Sequence, residues 1–281
     1  MSPTLYLGAS PQGLRGEAVL FGVPFDGTAS FRPGARFAPN AIREASQSIE
    51  TYSPFLDRDL EGRDYLDWGD LELAPGSAGR MIEAVAGKVA EIIAGNKKPV
   101  ILGGEHTVTL GALKVLAAKH PDLVVLHVDA HADFREDYLG EKLSHATVMR
   151  RAAEFISPDR IHRFGVRAGT REELVGSGVS LPIGFVGGLR DVESVLKAIP
   201  EKAPLYLTLD LDVFDPSLMP GVGNPEPDGL SYREFLALVR TLIWRDIVGF
   251  DVVELAPQYD PSGVSAIVAA STVRELMLCM L

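Results

Sequence analysis

Residues Leu123–Asp133 read LVVLHVDAHAD. The first half, Leu123, Val124, Val125, Leu126 and Val128, is an apolar run of the kind that forms a strand buried on both faces. Such a strand belongs inside a parallel sheet covered by helices, so this segment constrains the fold more than any other. The second half is Asp129-Ala130-His131-Ala132-Asp133. Alternation with period two predicts that Asp129, His131 and Asp133 point the same way, with only small alanines between them. Oxygen and imidazole donors together suit a divalent first-row metal. The plain alternative is a solvated acidic loop. Convergent polar groups at the end of a buried strand weigh against it, because buried polar groups need partners.

Two further stretches repeat the pattern. Leu205–Asp212, LYLTLDLD, is another apolar strand, ending in Asp210 and Asp212 at i, i+2 spacing. Val100–Thr107, VILGGEHT, opens from a strand into Gly103-Gly104 and presents His106 before a helix-like run. His106, Asp129, His131, Asp133, Asp210 and Asp212 are too many ligands for one tetrahedral zinc. They fit two divalent ions sharing bridging aspartates.

Apolar strands and amphipathic runs alternate along the whole chain, with no repeat and no low-complexity linker. Strands are expected at Ala18–Val23, Asp64–Trp68, Pro99–Leu102, Leu123–Asp129, Arg160–Val166, Pro182–Val186, Leu205–Asp210 and Gly249–Glu254. Helices are expected at Pro39–Ser46, Gly79–Ala94, Thr107–Lys119, Ala146–Phe155, Arg171–Gly176, Val192–Ala198, Tyr232–Trp244 and Val264–Leu278. This order implies βαβ units: an α/β fold with a mainly parallel sheet and helices on both faces. Ligands of such sheets collect outside the carboxyl ends of the strands, where all three polar clusters fall. One domain spanning 1–281 is ordinary for this length.

Composition narrows the partners. The net charge of −11 and the lack of a basic stretch argue against nucleic acid and are compatible with a cationic small molecule. The single cysteine, Cys279, rules out an intrachain disulfide framework and suits a reducing, cytoplasmic compartment. Met1–Arg15 lacks the basic start and apolar core of a secretory signal, and no stretch is apolar enough to span a membrane.

Three loops and one strand end complete the candidate site. Gly22–Pro39 is a Gly/Pro-rich loop that can rim a pocket or close a turn in which Arg32 and Arg36 salt-bridge locally. Asp26 in it can orient another residue. The loop after Asp133 leads to His145 at a helix start, from which a histidine can move protons between a site and water. The stiff loop after Asp212, through Asp215-Pro216 to Glu226-Pro227, can line a substrate channel. Glu254 ends the last strand, where a buried carboxylate needs a structural arginine or a cationic ligand.

The segments GGEHT at 103–107, DAHAD at 129–133, SHAT at 144–147, LTLDLDVFDP at 207–216 and VVELAP at 252–257 resemble the ureohydrolase family, which contains arginase and agmatinase. GVPFDGTASFRPGARFAPNAIREAS at 22–46 resembles the agmatinase branch closely. The resemblance implies a three-layer α/β/α fold with an eight-stranded parallel sheet, two Mn2+ per subunit (Co2+ or another divalent ion in their place) and a homo-oligomer, trimer or hexamer. It assigns His106, Asp129, Asp133 and Asp210 to one metal and Asp129, His131, Asp210 and Asp212 to the other. Glu254 matches the guanidinium-binding glutamate and His145 the proton-shuttle histidine; Asp133 would pass a proton to the leaving amine. The implied reaction is hydrolysis of a guanidinium to urea and an amine.

The residues after Asp133 disfavour arginine, since Phe134-Arg135 does not reproduce the asparagine that arginase has there. The expected substrate is therefore agmatine, giving putrescine. The same reaction on N1-aminopropylagmatine, guanidinobutyrate or arginine is the nearby alternative, and Arg135 inside the pocket would favour a guanidino acid. Glu136, Asp137 or Glu141 are candidates to attract the distal amine. Two-metal phosphoester hydrolysis and a non-catalytic, metal-stabilised binding protein are the other classes.

Overall fold

The computed structural model describes residues 4–9, 16–176, 183–184 and 197–281. Ten strands are described: β1 (Ala18–Gly22), β2 (Tyr52–Ser53), β3 (Arg58–Asp59), β4 (Tyr65–Asp70), β5 (Lys98–Leu102), β6 (Val124–Val128), β7 (Ile161–Phe164), β8 (Ile183–Gly184), β9 (Pro204–Asp210) and β10 (Asp246–Val253). The α-helices are α1 (Ala38–Ser46), α2 (Ala78–Ala94), α3 (Thr109–Lys119), α4 (Val148–Ala152), α5 (Tyr232–Leu242) and α6 (Val264–Met280). Eight strands form one sheet in the order β4-β1-β5-β10-β9-β6-β7-β8. Every pairing in it is parallel. The expected three-layer fold is therefore present, with a small antiparallel β2–β3 pair that the sequence pattern did not announce.

Alternation along the strands divides the core in two. Leu102, Leu126, Val128, Leu207, Leu209 and Val252 face a core closed by α1, α5 and α6. Ile101, Val125, Tyr206 and Val253 face the core under α2, α3 and α4. The helices lie where their apolar faces can reach these cores. Ser77 caps α2 by accepting from Arg80 N, and Ser231 forms a reciprocal capping box with Glu234 at α5.

The register matters more for function than the layers do. Leu102 pairs with Val252, Val252 with Leu209, and Leu209 with Val128, so these four residues stand in one row across β5, β10, β9 and β6. The next residue on each strand begins the site.

Some expected elements differ. The Ala146–Phe155 helix is a 3-10 turn, His145–Thr147, followed by the short α4, because Ser144 and Thr147 cap the turn reciprocally. Arg171–Gly176 is a π turn at Glu172–Gly176 rather than an α-helix. Of the expected strand Pro182–Val186, Ile183–Gly184 is described and pairs with β7; the remainder, like most of Val192–Ala198, lies outside the described residues.

A buried ion pair ties α1 to the sheet edge. Arg43 donates to both oxygens of Asp67, at 2.8 and 2.9 Å, and to Asp70 at 2.5 Å. Arg43 and Asp67 are almost completely buried. Arg43→Met leaves Asp67 uncompensated and is expected to cost about 3–5 kcal/mol, read by chemical denaturation, with Asp67→Leu in the same chain recovering most of it.

Candidate active site

One residue beyond the Leu102–Val252–Leu209–Val128 row are Gly103, Val253, Asp210 and Asp129. Asp210 and Asp129 thus stand on neighbouring parallel strands at one level, about 4.8 Å apart in backbone and on the same face. That face is the one covered by α2–α4, and along it the side chains turn from apolar to polar: Val125 and His127 on β6 with Asp129 just past its end, and Tyr206, Thr208 and Asp210 on β9. His106 enters above them. Its approach requires Gly104, where an added Cβ would lie 1.8 Å from the Phe25 carbonyl oxygen. Glu105 N donates to that same carbonyl, and Glu254 N donates to Gly104 O.

The six expected ligands converge. His106 Nδ1 lies 3.0, 3.2 and 3.3 Å from carboxylate oxygens of Asp129, Asp133 and Asp210. His131 Nδ1 is 2.8 Å from Asp212 Oδ2 and 3.6 Å from Asp129 Oδ1. Three of the aspartates divide their labour in the same way. Asp129 Oδ1 accepts from His131 N, Asp210 Oδ1 from Asp212 N, and Asp212 Oδ1 from Ala130 N. Their Oδ2 atoms are left facing imidazole nitrogens. For Asp129, His131 and Asp133, convergence does not come from strand alternation, as the sequence suggested. β6 ends at Val128, and Asp133 returns to the cluster through a left-handed backbone, φ 49°. Glu254 is left-handed too, at φ 69°. Such conformations cost about 1–3 kcal/mol in a non-glycine residue and are retained where the surroundings enforce them.

The electrostatics call for cations. Burial, together with Asp212 and Asp129, pushes Asp210 well above the ordinary carboxylate range. Burial and Glu105 do the same to Glu254. Burial opposes charge on His106, but Asp129, Asp133 and Asp210 outweigh it and hold the ring well above the usual histidine range.

The His106 ring is oriented from behind. Tyr206 Oη and Thr208 Oγ1 donate to the two oxygens of Asp251, at 2.7 and 2.6 Å. With its single hydrogen so used, Thr208 accepts from His106 Nε2 at 2.8 Å. Nδ1 is thereby turned onto the carboxylates of Asp129, Asp133 and Asp210, buried and without a well-aligned hydrogen bond. These acids favour positive charge there, which a divalent ion in place of the ring proton would supply. Imidazole and carboxylate donors together are the set of a divalent-metal centre, so the residues present fit the two-metal assignment.

Several neighbours were not anticipated. His127 Nε2 lies 2.7 Å from Asp129 Oδ2; its i−2 position on β6 was the available signal. Arg167 donates to the carbonyls of Asp212, Val213, Glu226, Pro227 and Gly165, stapling the loops beside the centre.

A cavity of about 320 Å³ opens over the cluster, lined by Asp133, His145, Asp210, Asp212 and Glu254, and by Glu173, Glu226, Tyr138 and Arg135. His145 thus faces the same space as the cluster. The acidic candidates for the distal amine do not line it. Glu136 pairs with Arg150 and Arg151, while Asp137 and Glu141 accept from Gly140 N and Leu143 N. Glu173 and Glu226 occupy the wall instead. Arg135 is at the wall, 3.5 Å from Glu173 and 5.0 Å from the Tyr138 ring. In the first loop, Asp26 binds Arg36 and Gly34 N locally, whereas Arg32 lies over Tyr259 and donates to Pro220 O, tying the loop to distant segments.

Residues 16–279 match the arginase family. The chain belongs to the arginase family. An agmatinase of Halalkalibacterium halodurans is 42% identical over 94% of this chain and 92% of its own length. The N(1)-aminopropylagmatine ureohydrolase of Thermococcus kodakarensis is 38% identical over 88% of this chain and 86% of its own. The crystal structure of the agmatine ureohydrolase of Thermoplasma volcanium superposes with a TM-score of 0.90 at 31% identity, covering 100% of this chain and 95% of that one. The arginase-family chain is therefore a ureohydrolase enzyme, which sets aside the phosphoesterase and non-catalytic alternatives. No described helix is long and apolar enough to cross a membrane.

Thr208→Val in this arginase-family chain removes the acceptor behind His106 and is expected to weaken divalent-ion binding about 10–100-fold in a calorimetric titration, with Thr208→Ser staying near the parent value.

Proposed function

We propose that the chain hydrolyses agmatine to putrescine and urea in a two-manganese centre. The observation that carries this is Glu254. It is a buried carboxylate at the cavity wall, anchored through Oε1 by His106 N at 2.8 Å, and no arginine or lysine among the described residues forms a salt bridge with it. A guanidinium, planar and charged at any physiological pH, supplies the missing partner through paired hydrogen bonds. The cavity, about 320 Å³, has room for a short linear cation, and its wall adds the carboxylate of Glu226 for a distal amine.

In this reading His106, Asp129, Asp133 and Asp210 would hold one ion and Asp129, His131, Asp210 and Asp212 the other, and the bound ions would supply a hydroxide nucleophile at neutral pH. Glu254 fixes the guanidinium carbon in place for attack, converting a bimolecular encounter into a positioned one. Asp133 passes a proton to the leaving amine nitrogen. His145 exchanges protons between the cavity and solvent through Nε2, the ring nitrogen beside Ser30 Oγ.

Arg135 supports one second reading, a guanidino acid such as guanidinobutyrate, because it borders the cavity. Its pairing with Glu173 and its place over Tyr138 already engage much of its charge, which favours the diamine.

Urea release by manganese-reconstituted protein, measured on agmatine, N1-aminopropylagmatine, guanidinobutyrate and arginine, tests the assignment. Agmatine is expected to have the highest kcat/KM; a carboxylate-bearing substrate in that place would overturn the specificity and keep the chemistry. Glu254→Gln is expected to lower kcat/KM by about a hundredfold or more while leaving metal content, measured by elemental analysis, unchanged. Loss of metal would instead make Glu254 part of the centre.

A further inference from the structure

Glu105 lies between Gly104 and His106 but points away from the metal ligands. Its buried carboxylate accepts three hydrogen bonds: Thr28 N at 2.7 Å on Oε2, and Thr28 Oγ1 at 2.5 Å and Thr107 Oγ1 at 2.7 Å on Oε1. Thr28 belongs to the first loop, far away in sequence, and reaches onward to a third segment. Its Oγ1 lies 3.1 Å from His145 N and 3.3 Å from His145 Nδ1. The other ring nitrogen, Nε2, faces Ser30 Oγ at 3.4 Å on the cavity side.

A hydroxyl has one hydrogen. Thr28 gives its hydrogen to Glu105, at the shortest contact in the chain of groups, so toward His145 the hydroxyl acts as an acceptor. It can accept from the main-chain N–H, and from the ring only if Nδ1 carries the proton. Which imidazole nitrogen is protonated is set by the hydrogen bond the other one makes.

We propose that Glu105 and Thr28 are positioning residues that hold neutral His145 in the Nδ1–H tautomer, with the Nε2 lone pair presented to the cavity. This rests on the reading of His145 as the proton carrier. It adds that the carrier works only with its basic nitrogen on the cavity side, and that this orientation is imposed from the first loop. Without the Thr28 acceptor the ring takes the tautomer that free histidine prefers, Nε2–H, and the nitrogen facing the cavity can no longer receive a proton.

The test joins a direct readout to a kinetic one. In full-length protein labelled with 15N-histidine and loaded with zinc as a diamagnetic ion, NMR at a pH where the ring is neutral reports which nitrogen of His145 is protonated; comparison with His145→Ala assigns the signals. The parent is expected to show Nδ1–H and Thr28→Val to show Nε2–H, with Thr28→Ser restoring the parent pattern. In manganese-loaded protein Thr28→Val is expected to lower kcat by about tenfold to a hundredfold with KM within about twofold. The same change in a His145→Ala background is expected to add nothing, as for residues acting through one group. An unchanged tautomer in Thr28→Val, or an equal loss in both backgrounds, overturns the proposal. Full turnover by His145→Ala would remove the proton-carrier reading, and the tautomer measurement would still decide the relay. If Thr28→Val does not fold, Thr28→Ala removes the same hydroxyl with less bulk.

Discussion

Like charge held at short range in a buried place is the constraint on which the rest of this structure depends. Parallel register brings Asp129 and Asp210 side by side, and loop geometry adds Asp133, Asp212 and Glu254. Low dielectric magnifies their repulsion, as the raised positions of Asp210, Asp212 and Glu254 record. The chain meets the repulsion in two ways. Backbone N–H groups of His131, Asp212 and Ala130 each take one carboxylate oxygen, pinning the aspartates without neutralising them. The remaining oxygens turn to imidazole nitrogens, an arrangement whose residual charge bound cations would satisfy. Burial of such an acidic cluster is what a site built to take a cation requires.

The same constraint explains which features were legible in the sequence. Strands buried on both faces are read from apolar runs, and placing ligands at their carboxyl ends follows from parallel topology, so β5, β6, β9 and β10 and all six metal candidates were visible. The second layer was not. His127, Thr208 and Asp251 interrupt apolar strands, and parity alone places them on the face of Asp129 and Asp210. What they do depends on three strands meeting, which no local pattern encodes.

Loops were the least legible. Glu136, Asp137 and Glu141 stand close in sequence to the cluster, yet Arg150 and Arg151 on α4, or local amides, engage them. Glu173 and Glu226 come from distant loops and reach the cavity because tertiary contacts place them: Glu173 by accepting from Phe134 N and Thr170 N, and Glu226 through Arg167 on its carbonyl. Composition near a motif is therefore a poor guide to what lines its pocket. Asp133 shows the converse, a residue rightly chosen for the cluster but brought there by a left-handed turn instead of strand alternation.

Two histidines here are approached by a carboxylate through a threonine: Asp251–Thr208–His106 and Glu105–Thr28–His145. A third, His131, meets Asp212 directly at 2.8 Å and is driven far above the ordinary histidine range. His106 meets carboxylates directly too, on its Nδ1 side, and is likewise raised above the ordinary histidine range. The interposed hydroxyl acts at the other ring nitrogen, where it passes on orientation without adding one more carboxylate in contact. For His106 that turns Nδ1 onto the carboxylates, where a cation would sit. For His145, at the cavity edge and open to solvent, it leaves a bare Nε2 for a proton. In the roles proposed for these residues, one local solution used at two depths would serve ligand binding in the interior and proton exchange at the mouth.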